Sequence, residues 1–481
     1  MDQTVDVIIV GAGASGLTAG IQAARQGARV LILEHMDKAG KKILATGNGK
    51  CNFTNEKQGI AYYRGKNPAF VLPSLRQFGV PETLRFFREL GVHGKAKRDG
   101  YYYPASGQAS SVLEVLLMEC RRLGVTVECG VGIRSIQKKH GAFLFRAKQG
   151  LFQSKACILA TGGKAAKKTG SDGSGFPYIL GFGHHVAELV PALVQLQGKQ
   201  PFLKEAAGTR AECNVMLYID GEKAAEDLGE LQLTEFGVSG IPVFQVSRHA
   251  SYGLLQGKQV SVRLDFLPGL PRQQAVQLLE ERFFLYGEGK SAEEALIGLF
   301  PQKLNRVLLK ESGIPLGKPA ASCRKQELSR LAACAQQLLV DIAGTKGFDS
   351  AQVTAGGADT DEICPDTMES KLVPGLFFAG EVMDIDGMCG GYNLQWAWTS
   401  GSVAGMAAAA YAGHPKQAGN AGITAGKRAM HDKDTAVKAT HPPYRGAIDR
   451  ENCKNTGRKA KGSKRVQNQE TVHRRPQKRQ G

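Results

Sequence analysis

The chain has 481 residues, with 62 basic and 44 acidic side chains and a formal net charge of +18. That length allows two to four domains of about 100–200 residues each and a large buried core. A hydrophobic content of 42% with 60 glycines excludes a disulfide scaffold, a collagen-like repeat and a wholly disordered chain.

The first element in chain order is a β-branched run, Val5 to Val10, long enough for one buried parallel strand. It carries Asp6, has no basic flank and runs into glycines, so it does not read as a signal peptide. Gly11-Ala12-Gly13-Ala14-Ser15-Gly16 follows, then a helical stretch from Leu17 to Gln26 and a second strand from Ala28 to Leu33 that ends at Glu34. Strand, G-x-G-x-x-G, helix, strand and acid form a dinucleotide-binding βαβ unit. Gly11 permits the tight turn, Gly13 lets the backbone approach a pyrophosphate, and Gly16 lets helix and strand pack closely. The helix N-terminus then faces the phosphates with its partial positive charge, and Glu34 can accept from ribose hydroxyls. This unit alone does not distinguish NAD from FAD.

The segment Gly40 to Asn55 places Lys42, Thr46, Gly47, Lys50, Cys51 and Asn52 within one glycine-rich stretch. Lys42 and Lys50 read either as partners of a pyrophosphate or flavin oxyanion or as solvated loop lysines. Asn52 reads as fixing cofactor or loop geometry, and Cys51, like Cys389, as a packed small residue rather than a redox thiol. Tyr101, Tyr102 and Tyr103 read as an aromatic β edge, with one tyrosine facing the cofactor as the alternative. An apolar strand, Ala156 to Leu159, ends at Ala160-Thr161-Gly162-Gly163. No strand feeds the glycines of Gly170 to Gly175, so no second dinucleotide-binding unit is expected. His184 and His185 read as structural.

From Leu193 to Phe266 short β-like runs alternate with turns, including Ala211 to Ile219 and Gln259 to Phe266. Residues 271 to about 340 read as helices, with a capping box at Ser291 and Glu294 and helical spacing of Leu and Ala from Leu328 to Leu339. Pro374 to Glu381, followed by Asp384, reads as a strand ending at Gly380-Glu381. Gly390-Gly391-Tyr392-Asn393-Leu394-Gln395 then opens an Ala-rich helix to about Ala412.

Beyond it the charge changes. Ala421 to Gly481 carries 16 Lys and Arg against 5 Asp and Glu, a net of +11 that leaves +7 for the rest. Without apolar periodicity it reads as a disordered, solvated tail, with contact to nucleic acid or an anionic surface as the less favoured alternative. The 10 cysteines form no C-x-x-C pair, which excludes the usual zinc spacing and the dithiol of disulfide reductases. Free thiols point to a reducing cytoplasm. No apolar run is long enough for a membrane span.

The Ala156–Gly163 and Pro374–Asp384 segments resemble those that two-dinucleotide-binding-domain flavoproteins place beside FAD. Gly40 to Asn55 is more specific. Its G-K-K-I-L-A-T-G-N-G-K-C-N-F-T-N run resembles the signature of the BaiN-like, aminoacetone-oxidase-like family of FAD-binding proteins. Gly100 to Ser106, Leu233 to Gly240 and Val353 to Gly357 through Ala397 resemble it too, so the likeness spans roughly residues 4 to 412.

The resemblance implies an α/β fold: a Rossmann-like FAD-binding domain split between residues 1–190 and 345–412, with an inserted substrate-side domain at 191–344. The insertion would be a small β-barrel to about residue 268 and helical after it, and 413–481 would be the basic tail. It implies non-covalent FAD held by Gly11, Gly13, Ala14, Ser15, Gly16, Glu34, Lys42, Thr46, Gly47, Asn52, Thr161, Gly162, Gly380, Glu381, Asp384, Gly391, Asn393 and Leu394. The expected function is hydride transfer between flavin N5 and a small organic substrate, with reduction of an activated C=C bond by transiently bound NAD(P)H favoured. A flavin amine oxidase and an RNA-associated flavoprotein are the alternatives. No general acid stands out.

Overall fold

The computed structural model describes residues 3–97 and 100–414. The basic segment 421–481, and the expectation of disorder attached to it, lie outside them. Among the described residues no helix is long and apolar enough to cross a membrane.

The β-branched run forms the strand Gln3–Val10, whose Val7, Ile8 and Ile9 are wholly buried. Burial on both faces explains why the sequence there is continuously apolar rather than alternating. It pairs in parallel with Val30–Glu34 on one side (Val7 opposite Val30) and with Gly150–Leu159 on the other (Val7 opposite Ala156). Thr126–Cys129 extends the sheet beyond Val30–Glu34. The long strand Gly150–Leu159 changes partner along its length. Residues 150–154 pair antiparallel with Ala142–Ala147, which pairs in turn with Ile133–Lys139; residues 157–159 pair in parallel with Leu376–Phe378. Val10, Glu34, Leu159 and Phe378 therefore end on the same edge of the sheet, the edge where open α/β folds carry ligands.

Two helices cross closely over this sheet. Ala14–Arg25 and Tyr392–Tyr411 meet at Gly401 and Gly405, where an added Cβ would sit 2.4 Å from the Ser15 carbonyl oxygen and 2.3 Å from that of Ala19. Read from sequence, Tyr392–Tyr411 is simply Ala-rich. Its two glycines are what let the backbones touch.

The inserted part is a closed six-stranded barrel in the order Leu196–Gly198, Gly237–Gly240, Glu222–Thr234, Arg210–Ile219, Val260–Asp265 and Leu338–Thr345, returning to Leu196–Gly198. Inward residues alternate as the pleat requires: Cys213, Val215 and Leu217; Val260, Val262 and Leu264; Leu338, Val340 and Ile342. Helices Arg272–Glu280, Gln302–Glu311 and Lys325–Gln336 share one core with the barrel. The Ser291 hydroxyl accepts from the Glu294 N–H and the Glu294 carboxylate accepts from the Ser291 N–H, the reciprocal cap expected from sequence.

The arrangement differs from a β part followed by a helical part. The helices are an excursion between the fifth and sixth strands, and Leu338–Thr345 closes the barrel. Helical spacing from Leu328 to Leu339 overran the helix, which stops at Gln336, because Leu338, Val340 and Ile342 continue the apolar run at a period of two.

Helix Ile241–Leu255 joins the two parts. Val243, Val246 and Ala250 belong to the barrel core, while Phe244 and Tyr252 pack with Val190, Ala192, Leu193, Val353, Ala355 and Cys389. Apart from Cys389, those last residues lie on or beside the antiparallel strands Val190–Ala192 and Val353–Ala355 that connect the parts.

Candidate functional site

The glycine loop is shaped by close approach. Gly11 has φ +105°, and a Cβ there would lie 2.5 Å from the Ala160 carbonyl oxygen; at Gly16 it would lie 1.9 Å from the Gly11 carbonyl oxygen. Gly13 is the opposite case, since a Cβ there would meet nothing within 4 Å. Gly13 is also the N-cap of Ala14–Arg25, and no side chain caps that helix. Ala14 packs against the core. Ser15 is buried and its Oγ donates to the Ala379 carbonyl at 3.2 Å, tying the loop to the Phe378-Ala379-Gly380 turn. The Gly380 N–H donates to Ser400 Oγ at 2.9 Å, and Gly380, φ +79°, leaves no room for a Cβ beside Ser15.

Glu34 stands at the end of its strand, 7% exposed. Its Oε2 accepts from the Ala12 N–H and its Oε1 from the Met36 N–H, both at 2.8 Å. The carboxylate thus braces the glycine loop while keeping further lone pairs. Thr161 and Gly162, φ +70°, follow the third strand end, and Thr161 Oγ1 and the neighbouring Ser171 Oγ are buried with no partner among the described residues. Asp384, 3% exposed, accepts from the Lys66 N–H through Oδ2 at 2.8 Å while Oδ1 has no partner. An uncapped helix N-terminus beside an open glycine face, a braced carboxylate and the orphaned Thr161 and Ser171 oxygens form a cradle suited to a dinucleotide, and Asp384 offers a further orphaned oxygen beside Gly65 and Lys66.

The Gly40–Asn55 segment comes to this cradle from the other side. Lys42 is not a solvated loop lysine. Its Nζ pairs with Glu381 Oε2 at 2.7 Å, and Glu381 Oε1 accepts from the Thr354 N–H. The Thr46 hydroxyl donates to the Ile43 carbonyl, and Gly47 is left-handed at φ 56°. Lys50 is exposed. The Asn52 amide donates to the Tyr102 and Thr54 carbonyls and accepts from the Gly391 N–H at 3.3 Å. Gly391, φ +96°, opens Tyr392–Tyr411. Asn393 binds both the N–H and the C=O of Gly387 at 2.8 Å, and Leu394 packs on the core. Asn393 therefore spends its amide on its own loop.

The other candidates have defined local surroundings. Burial pushes the Cys51 thiol up to about 12 and that of Cys389 to about 11, so both are neutral. Tyr101–Pro104 is a paired strand, with Thr54 opposite Tyr102, and Tyr103 carries the Lys97 ammonium over its ring at 4.2 Å. His184 is buried between Glu362 Oε2 at 2.9 Å and Ser370 Oγ at 2.7 Å, and burial lowers its pKa. His185 is exposed, bonds Glu362 Oε1 and is raised by it. Both are structural. An open depression of about 450 Å³ lined by Phe266, Leu267, Leu270 and Leu299 lies on the barrel and its helices, away from the glycine loops.

Sequence reasoning missed the residues that Ile241–Leu255 brings to the 386–391 loop. Gln245 bonds the Cys389 backbone at both ends, accepting from its N–H at 3.0 Å and donating to its carbonyl at 3.5 Å. One turn on, Arg248 Nε pairs with Asp386 Oδ1 at 3.0 Å. Asp386 is wholly buried; burial raises its carboxyl to about 6, against the pull of Arg248 and Arg64. The loop's other flank is pinned by Asp386 and Gly387 pairing with Tyr63–Arg64. Nothing in the local sequence marks Arg248, because its carboxylate partner Asp386 lies 138 residues away.

The HI0933-like protein Rossmann domain matches residues 5–407 of this chain. The chain is 46% identical over 403 residues to the 3-dehydro-bile acid delta(4,6)-reductase of Clostridium scindens, an alignment covering 83% of this chain and 98% of that protein. It is 31% identical to the ribosomal RNA dihydrouridine synthase of Escherichia coli and 30% identical to that of Haemophilus influenzae. Those alignments cover 82% and 83% of this chain and 96% and 97% of theirs.

Proposed function

The chain belongs to the HI0933-like family of Rossmann-domain oxidoreductases, and on that premise we propose that it is an FAD-dependent reductase saturating a C=C bond conjugated to a carbonyl, with NAD(P)H as donor. The observation that carries this reading is the 46% identity to a delta(4,6)-reductase over nearly that protein's whole length. The dihydrouridine synthases support the same reaction class, since each relative's name describes adding hydrogen across a C=C bond conjugated to a carbonyl.

The residues divide the work as follows. The first-turn N–H groups of Ala14–Arg25 and the open face of Gly13 hold a pyrophosphate. Glu34 accepts from an adenosine ribose. The orphaned oxygens of Thr161 and Asp384 take hydroxyl donors of the cofactor. The Lys42–Glu381 pair and the Asn52–Gly391 bond fix the two glycine loops against each other, and the start of Tyr392–Tyr411 presents main-chain donors to developing negative charge. FAD, when bound, supplies hydride chemistry.

The test is anaerobic. NADH or NADPH is added to the purified protein and the yellow absorbance is followed, then a conjugated cyclic enone is added. Bleaching followed by recovery on enone addition is expected; bleaching that only O2 reverses refutes the reductase assignment and favours an oxidase.

A second reading has its own support in the two RNA-modifying relatives and the net charge of +11 from Ala421 to Gly481. In that reading the substrate is a uridine in RNA and the basic segment supplies affinity. Deleting 421–481 would then weaken RNA binding and flatten its salt dependence. Unchanged binding removes this reading.

A further inference from the structure

Arg248 is a guanidinium held in place but not used up. Its side chain is only 17% exposed. Asp386 binds its Nε, the Tyr252 ring lies 5.0 Å from its Cζ, and Gln245, one turn earlier, fixes the helix to the Cys389 backbone. Among the described residues neither terminal nitrogen has an acceptor. Arginine–carboxylate pairs are frequently bidentate, with the fork in two parallel bonds. Here the carboxylate takes the side nitrogen and leaves the fork open, at the junction of the barrel helix and the loop that leads into Gly390-Gly391 and Tyr392–Tyr411.

We propose that Arg248 binds the carbonyl oxygen conjugated to the substrate's double bond and stabilises the enolate that forms there, with Asp386 as the residue that positions it. The proposal rests on the reductase reading above. The substrate class is a neutral or anionic molecule bearing a carbonyl conjugated to C=C. The reduction adds a hydride at the substrate's β-carbon, an equivalent that FAD would supply when bound and reduced by NAD(P)H, and moves the π pair onto the carbonyl oxygen. The enolate oxygen lies against the open Arg248 fork. A proton from solvent then adds to the α-carbon, completing the uptake of two electrons and the elements of H2. Guanidinium suits this role because it stays protonated throughout and offers two parallel donors. Asp386 faces Arg248, Arg64 and Asp384, so its charge is held by two arginines and opposed by one carboxylate.

The experiment uses the full-length, cofactor-loaded protein, with 4-nitrophenol as the enolate mimic and a cyclic enone as the substrate. Native protein should lower the pKa of bound 4-nitrophenol, read as phenolate absorbance appearing at lower pH. Two variants remove the fork: Arg248→Lys, which keeps a charge beside Asp386, and Arg248→Met with Asp386→Asn, which leaves no buried lone carboxylate. In the double variant the bound phenol should titrate as it does in water and in Arg248→Lys its shift should shrink; in both, reoxidation by the enone should slow at least 100-fold, while the visible spectrum and dithionite reduction stay native. Asp386→Asn alone should slow reoxidation about tenfold and remove the limb of the pH–rate profile near 6. Native reoxidation rates in either fork variant, or no phenol shift in the native protein, overturn the proposal. If the native protein accepts no enone yet lowers the phenol's pKa through Arg248, the reductase reading fails and the oxyanion site stands.

Discussion

A carbon added at Gly16 would sit 1.9 Å from a backbone oxygen, whereas the buried strand Val260–Asp265 of the barrel is held by Val260, Val262 and Leu264 meeting other side chains. The nucleotide part is assembled from main chain against main chain, at Gly11, Gly16, Gly401 and Gly405. The barrel is filled chiefly by alternating aliphatic side chains, and its main chain meets main chain only along the short strand Gly237–Gly240, at Gly237 and Gly240. Backbone-to-backbone packing tolerates one residue type and cannot relax. Side-chain packing tolerates substitution at a graded cost. Folding of the first part should therefore be all-or-none with respect to the glycines packed on main chain, Gly11, Gly16, Gly401 and Gly405.

The sharpest way to break this contrast is to add bulk. Gly16→Val or Gly401→Val should cost more than about 3 kcal/mol and yield little folded protein, measured as soluble yield and thermal melt. A melt within a few degrees of native would show that these contacts can relax. In the barrel, Leu264→Ala removes a wholly buried side chain and should cost about 3 kcal/mol in chemical denaturation, yet leave nucleotide affinity unchanged in the folded fraction. Affinity falling in step with stability would mean that the two parts do not behave separately.

Two buried aspartates extend the comparison to pH. Burial works against Asp6, but the Arg29 N–H and guanidinium and Lys155 hold it down to about 2, below its ordinary 3.8. Its contribution is present above pH 3.8 and lost as pH falls through about 2, worth at most about 2 kcal/mol. Asp386, at the junction, is raised to about 6. Its contribution is present below 3.8 and lost as pH rises through 6. Melting curves of Asp6→Asn should lose the native decline between pH 4 and 2, and those of Asp386→Asn the decline between pH 4 and 6. Variant curves that run parallel to native would contradict both assignments.

Gly13 separates folding from binding. Gly13→Ala meets no protein atom, so the melt should move by less than about 1 kcal/mol while FAD affinity drops about tenfold. A large loss of stability would show that the loop is packed there after all. The smallest effect is expected at the half-buried Lys42–Glu381 pair, where Lys42→Met should cost about 1 kcal/mol in urea denaturation. A neutral result would make the pair dispensable for joining the loops.

The same contrast explains what sequence could show. Gly11, Gly13 and Gly16 were legible because they recur at the fixed spacing of a strand–turn–helix loop, and Glu34 because its distance from that loop is set by one helix and one strand. Gly401 and Gly405 were not, since a close helix crossing depends on a partner nearly four hundred residues away. Lys42 read as a phosphate ligand or a solvated cation, but Glu381, 339 residues on, takes its charge. Asn393 sat in a cofactor motif yet bonds its own loop at Gly387. The barrel's sixth strand was hidden because Leu338 follows a helical run with only Gln337 between. Arg248 carries no motif at all.

The most direct test of the central claim is to identify what the glycine cradle holds. The protein is purified, its visible spectrum recorded, and the nucleotide released by denaturation and identified by mass, in parallel for native and Gly13→Ala. The expected result is a yellow native protein releasing FAD at close to one per chain, and a folded but paler variant. A colourless native protein that cannot be reconstituted with FAD would contradict the account at its root.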